Sequence, residues 1–114
     1  MSRSTSEYLS HILEETDYLL TNSKNVSKKE FVQNETLKRA YVRSFEIIGE
    51  AVKQLPLELR DKYTQVDWRF LAGMRDRLVH NYFGVDYDIA WDAITSKIPD
   101  LDTEIKKILS EQLN

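Results

Sequence analysis

Within the nine residues Met74-Arg75-Asp76-Arg77-Leu78-Val79-His80-Asn81-Tyr82, the chain brings together the groups needed to cleave RNA without a metal. An arginine neutralises phosphate charge, a histidine moves protons near neutral pH, and a tyrosine hydroxyl stands two positions beyond the histidine. Attack by a ribose 2′-hydroxyl needs a base for that proton and an acid for the departing 5′-oxygen. The segment offers one histidine for these two tasks.

These residues need a helix to position them, and the sequence reads as helical throughout. Only three glycines and two prolines punctuate 114 residues, and the apolar residues recur at helical rather than alternating spacing. The spacing predicts an all-α antiparallel bundle of about five helices, a single domain over residues 1–114. Helix 1 is expected from Thr5 to Leu20, capped by Ser4 or Thr5, with Leu9, Ile12, Leu13, Thr16, Leu19 and Leu20 on one stripe. The second helix starts between Lys28 and Asn34 and ends before Pro56, which cannot donate the next backbone hydrogen bond. Its apolar set is broad: Leu37, Tyr41, Phe45, Ile48, Val52 and Leu55, widened by Ala40, Ile47 and Ala51.

A short helical turn follows near Leu57 to Lys62. The third helix is expected from an Asp67 cap to about Tyr82, with Gly84 as its left-handed stop. Helix 4 covers Tyr87 to Lys97 behind an Asp86 cap, and helix 5 begins near Pro99. At 100° per residue, Leu71, Met74 and Leu78 share the core face of the third helix. Asp76 and His80 are stacked neighbours pointing away from it, and Arg75 sits at its edge. Trp68, Phe70, Trp91 and Tyr41 read as core or interface anchors. His11, beside Ile12 and Leu13, is given no role.

The formal charge of −3 and pI near 5.4 argue against a protein that grips nucleic acid through a broad basic surface, so any RNA contact is expected to be local. Lys24, Lys28 and Lys29 form a small basic group that reads as solvated. With no cysteine there is no disulfide, thiol nucleophile or cysteine zinc site. No cluster of acidic residues and histidines at metal-ligand spacing accompanies the motif, so no metal or other cofactor is expected. Without a signal-type or membrane-spanning apolar run, a cytoplasmic protein is the expectation.

The stretches Arg43-Ser44-Phe45-Glu46-Ile47-Ile48-Gly49-Glu50-Ala51-Val52 and Val66 to Asp86 closely resemble the HepT-like branch of the HEPN superfamily. In that family an R-x4-H-x-Y signature closes the third helix, and Arg75, His80 and Tyr82 match it. The resemblance implies a homodimeric toxin of a toxin–antitoxin pair, a metal-independent endoribonuclease with its active site in the cleft between protomers. It assigns catalysis to Arg75 and His80, with Asp76 orienting His80 or supporting Arg75; many relatives carry asparagine at that position. It also implies that an MNT-type nucleotidyltransferase partner attaches AMP to Tyr82. Two other readings stay open: a noncatalytic subunit that docks or presents substrate to that nucleotidyltransferase, and a regulator whose cleft merely holds a nucleotide phosphate.

Overall fold

The computed structural model describes residues 2–78, 84 and 86–113, with the side chains of 75, 112 and 113 outside that description. The described residues form eight helices: α1 Arg3–Ser23, α2 Lys28–Gln33, α3 Glu35–Gln54, α4 Leu57–Lys62, α5 Trp68–Ala72, α6 Met74–Leu78, α7 Tyr87–Ser96 and α8 Ile98–Leu113. None of them is long and apolar enough to cross a membrane.

The first helix runs further than its apolar stripe requires. Ser2, not Ser4 or Thr5, is the cap: its Oγ accepts from the Thr5 backbone N–H at 3.1 Å, and the last turn continues to Ser23. The expected second helix is two helices. Asn34 breaks the run by ending α2 and capping α3, its Oδ1 accepting from the Leu37 N–H at 3.0 Å. Ahead of it, Ser27 and Glu30 close a reciprocal capping box on α2. Asparagine at that position satisfies the first free N–H groups of a new helix more readily than it continues an old one.

Helix α3 is the spine. It packs along α1 on one side and against α5 and α6 on the other, burying Tyr41, Phe45, Ile48, Ala51 and Val52. Gly49 lets α3 come close to α5: a Cβ there would lie 3.1 Å from the Leu71 carbonyl oxygen, a contact so tight that the α5 backbone would have to give slightly. Trp68, the first residue of α5, is buried and donates from its Nε1 to the Tyr63 carbonyl at 2.8 Å, tying α5 to the end of α4.

Helix α2 is held by rings. Phe31 is fully buried; it stacks on Tyr41 with centroids 5.2 Å apart, lies 5.3 Å from Trp91, and meets Tyr87 edge-on at 6.1 Å. Four aromatics from α2, α3 and α7 thereby share one cluster. Lys38 joins it, its Nζ 4.4 Å from the Tyr87 ring centre and 2.8 Å from Glu35.

A buried polar link joins α1 to α8. Asp102 accepts from the Thr16 hydroxyl at 2.8 Å and pairs with Lys106 at 2.7 Å, while Lys106 also reaches Asp17 at 3.6 Å. Burial pushes the Asp102 carboxyl up, but hydrogen bonds from Asp17, Lys106 and Thr16, with the ammonium charge, outweigh it and hold the group below its usual 3.8. Asp17 moves the other way, raised by its hydrogen bond with Asp102, by burial and by the neighbouring negative charge. The stabilisation from Asp102 is present above its unfolded pKa and is lost as pH falls through the lower folded value. The contribution of Asp17 has the opposite sign, present at low pH and lost as pH rises through its raised value, and its half-exposed carboxylate weakens it. Asp102→Asn should therefore lower the melting temperature at pH 7, removing about 1–3 kcal/mol. The gap to wild type should close toward pH 3, read from thermal melts across pH 7 to 3. A gap that stays constant would remove Asp102 as the titrating group.

Candidate active site

The helix expected from Asp67 to Tyr82 is divided. Asp67 does cap it, its Oδ1 accepting from the Phe70 N–H at 3.1 Å, and α5 then stops at Gly73 before α6 begins at Met74. Gly73 caps α5 with its N–H directed to the Arg69 and Leu71 carbonyls, so the chain turns here and restarts. Beyond α6, the Asp86 N–H donates to the Leu78 carbonyl at 2.8 Å, linking α6 to the start of α7. Gly84 lies between them with φ +113°, the left-handed conformation expected of it. Asp86 caps α7 through hydrogen bonds from the Asp88 and Ile89 N–H groups, both 3.1 Å.

The core face of α6 is as the spacing requires. Leu71, Met74 and Leu78 are essentially inaccessible to solvent, and Asp76 is exposed. Arg75 occupies the first turn of α6, and its side chain lies outside the described residues, as do His80 and Tyr82 and the expected helix end at Tyr82. The expected contact of Asp76 with His80 falls outside them too. What the fold supplies is a platform: α6 seated on α3 through Met74 and Leu78, with its polar side turned outward.

Three side chains next to this platform come together in a way their spacing did not signal. Arg77 reaches back across the Gly73 break to place its guanidinium carbon 5.1 Å from the centre of the Phe70 ring, and Lys97, at the end of α7, places its Nζ 5.2 Å from the same ring. Phe70 is therefore only partly an anchor: it packs against the core yet stays half-buried, with a face for two cations. Lys97 also meets the free oxygen of Asp67 at 3.4 Å. Among the described residues no carboxylate lies within ion-pair distance of Arg77. A pairing of residues 70 and 97, far apart in sequence, leaves no local signal.

The remaining candidates lie elsewhere. Lys28 pairs with Asp88 at 3.1 Å, which raises its pKa and neutralises part of the basic group near α2. A surface groove of about 590 Å³ between α1 and α3 is lined by residues that include Tyr8, His11, Arg43, Glu46 and Glu50, with none from α6. Tyr41 and Trp68 are buried as expected, and Trp91 is half-buried in the aromatic cluster.

A bundle whose described residues are all-helical and whose sequence carries R-x4-H-x-Y from Arg75 onward defines the class of this protein, and comparison with known sequences gives the family. The model of the family described as "Ribonuclease HepT-like" matches residues 6–108. The chain belongs to the HepT-like family. It is 50% identical over 105 residues to the protein named "Putative RNase TTE0752" of Caldanaerobacter subterraneus subsp. tengcongensis, covering 92% of this chain and 94% of the relative. It is 42% identical over 109 residues to "Putative RNase MJ1216" of Methanocaldococcus jannaschii, covering 96% and 90%. It is 33% identical over 108 residues to "Probable ribonuclease HepT" of Thermococcus cleftensis, covering 95% and 98%. No solved structure matches the chain.

Proposed function

We propose that this chain is a metal-independent endoribonuclease, the toxin of a toxin–antitoxin pair, acting in the cytoplasm as a homodimer whose active site is the cleft between protomers. The observation that carries the reading is the family match over residues 6–108, which spans an intact R-x4-H-x-Y set in Arg75, His80 and Tyr82. Relatives that cover nearly the whole chain bear ribonuclease names.

In this mechanism one His80 imidazole takes the proton of a ribose 2′-hydroxyl, whose oxygen attacks the adjacent phosphorus. The bond from phosphorus to the 5′-oxygen breaks, and the second protomer's imidazolium protonates the departing oxygen. Arg75 neutralises the charge that grows on the non-bridging oxygens, the interaction that contributes most in such transition states. Asp76, exposed on the outer side of α6, orients His80 or supports Arg75. The products are a 2′,3′-cyclic phosphate and a 5′-hydroxyl.

Purified protein incubated with RNA in the presence of a chelator, beside His80→Ala, tests this: the wild type should release fragments with those ends and the variant should not. Equal, negligible cleavage by both would leave the docking subunit as the better account. Silencing by an MNT-type nucleotidyltransferase follows the same logic. AMP on Tyr82 would add phosphate charge beside Arg75 and obstruct the cleft. Coexpression with that partner should raise the mass of this chain by one or more AMP units, and Tyr82→Phe should abolish the increase.

A further inference from the structure

A ribonuclease holds more of its substrate than the bond it cuts, since the strand continues past the scissile phosphate in both directions. In a chain of net charge −3, the protein as a whole offers those flanking phosphates no net attraction. A local cationic foothold beside the motif is therefore required, and the described residues hold one.

Arg77 is two residues from Arg75 on the single turn of α6, and exposed. Its guanidinium and the Lys97 ammonium both lie about 5 Å from the Phe70 ring centre, so the two charges stand within about 10 Å of each other. The ring attracts each cation and fixes where it points, which lowers the entropy lost when either binds an anion. Asp67 offsets the arrangement only in part: one of its oxygens caps α5 and the other meets Lys97 at 3.4 Å. Asp76 is the next acid along α6 and projects from its outer side. An exposed and a half-exposed cation held around one half-buried ring, with Arg77 lacking a carboxylate among the described residues, make a receptor for an anion rather than a stabilising pair.

We propose that Arg77, Lys97 and Phe70 form a phosphate-binding subsite that holds single-stranded RNA one or more nucleotides from the scissile bond, with the Phe70 ring edge or face available to an unstacked base. This rests on the ribonuclease reading above. Arg77 and Lys97 contact backbone phosphate, so they confer affinity and register but little sequence preference. Base stacking on Phe70 would be equally tolerant of sequence.

The test uses the full chain carrying His80→Ala, so that RNA is bound without being consumed, and a fluorescein-labelled 20-nucleotide single-stranded RNA of mixed sequence. Affinity is measured against sodium chloride concentration. Adding Arg77→Gln and Lys97→Gln together should weaken binding several-fold and flatten the slope of log affinity against log salt by about 1.4, about 0.7 for each phosphate no longer neutralised. The charge-preserving exchange Arg77→Lys with Lys97→Arg should keep the slope. Phe70→Leu, which retains an apolar side chain against the core, should weaken binding with the slope little changed. In the active enzyme the double glutamine variant should raise KM and leave kcat near wild type.

An unchanged slope in the double glutamine variant, while its parent binds and the wild type cleaves, overturns the subsite and leaves the ribonuclease reading standing. If the wild type neither binds nor cleaves the RNA, both fall together. Retained RNA affinity with abolished binding to poly-L-glutamate would assign the cluster to an acidic protein partner and likewise overturn the proposal.

Discussion

His80→Ala should slow RNA cleavage by about 10²–10⁴-fold, the range that a positioned acid–base group contributes. Arg75→Ala should slow it by about 10²–10³-fold, because it removes a preorganised charge from the transition state and leaves nucleophile and leaving group in place. The two losses differ in kind. The arginine variant should keep the bell-shaped pH profile of the wild type, which reports one imidazole as base and another as acid, whereas the histidine variant should lose that shape. A mixture makes the shared cleft testable. Wild-type and His80→Ala chains, unfolded together and refolded as mixed dimers, should lose activity more steeply than the wild-type fraction falls, because a mixed cleft holds one imidazole where a base and an acid are both needed. If each chain carries a complete site of its own, activity should fall in proportion to the wild-type fraction. Single-turnover assays in chelator separate the outcomes, and growth inhibition that survives Arg75→Ala would count against the assigned chemistry.

Phe31→Ala should destabilise the chain by about 3–5 kcal/mol, the cost of emptying a fully buried aromatic position. The figure belongs at the upper part of that range because Phe31 touches three other rings, those of Tyr41, Trp91 and Tyr87, so relaxation by one neighbour leaves the others unsupported. Helix α2 has only six residues and Phe31 is its buried residue, so the capping box of Ser27 and Glu30 should not hold the helix once the ring is gone. Chemical denaturation gives the stability loss, and hydrogen exchange should show α2 amides opening well before those of α3. A loss under 1 kcal/mol would mean that α2 is fastened elsewhere.

Much of the architecture was legible because helical periodicity reports burial directly. Leu9, Ile12, Thr16 and Leu19 are buried on α1, and Met74 and Leu78 on α6, at the positions their spacing required. Caps at Asp67 and Asp86 and the left-handed Gly84 were equally local, since one side chain or one φ angle decides each. The breaks were harder. Asn34 lies between Phe31 and Leu37 with no proline or glycine to mark the break, and Gly73 divides a segment whose core stripe of Leu71, Met74 and Leu78 runs on without interruption. Periodicity records which face is buried and carries no mark of where the backbone leaves one helix and starts the next.

The sequence by itself determined the helical class, the core face of each long helix, the family, and the candidate set of Arg75, Asp76, His80 and Tyr82, because each is written in residue types at short spacing. Tertiary structure alone decided the contacts between distant residues. Glycine at 49 lets α3 touch the α5 backbone, Thr16 meets Asp102 in the interior between α1 and α8, and Lys97 arrives beside Phe70 and Arg77 next to the motif. Such pairings depend on how helices cross, and crossing geometry follows from the packing of whole faces rather than from any local pattern.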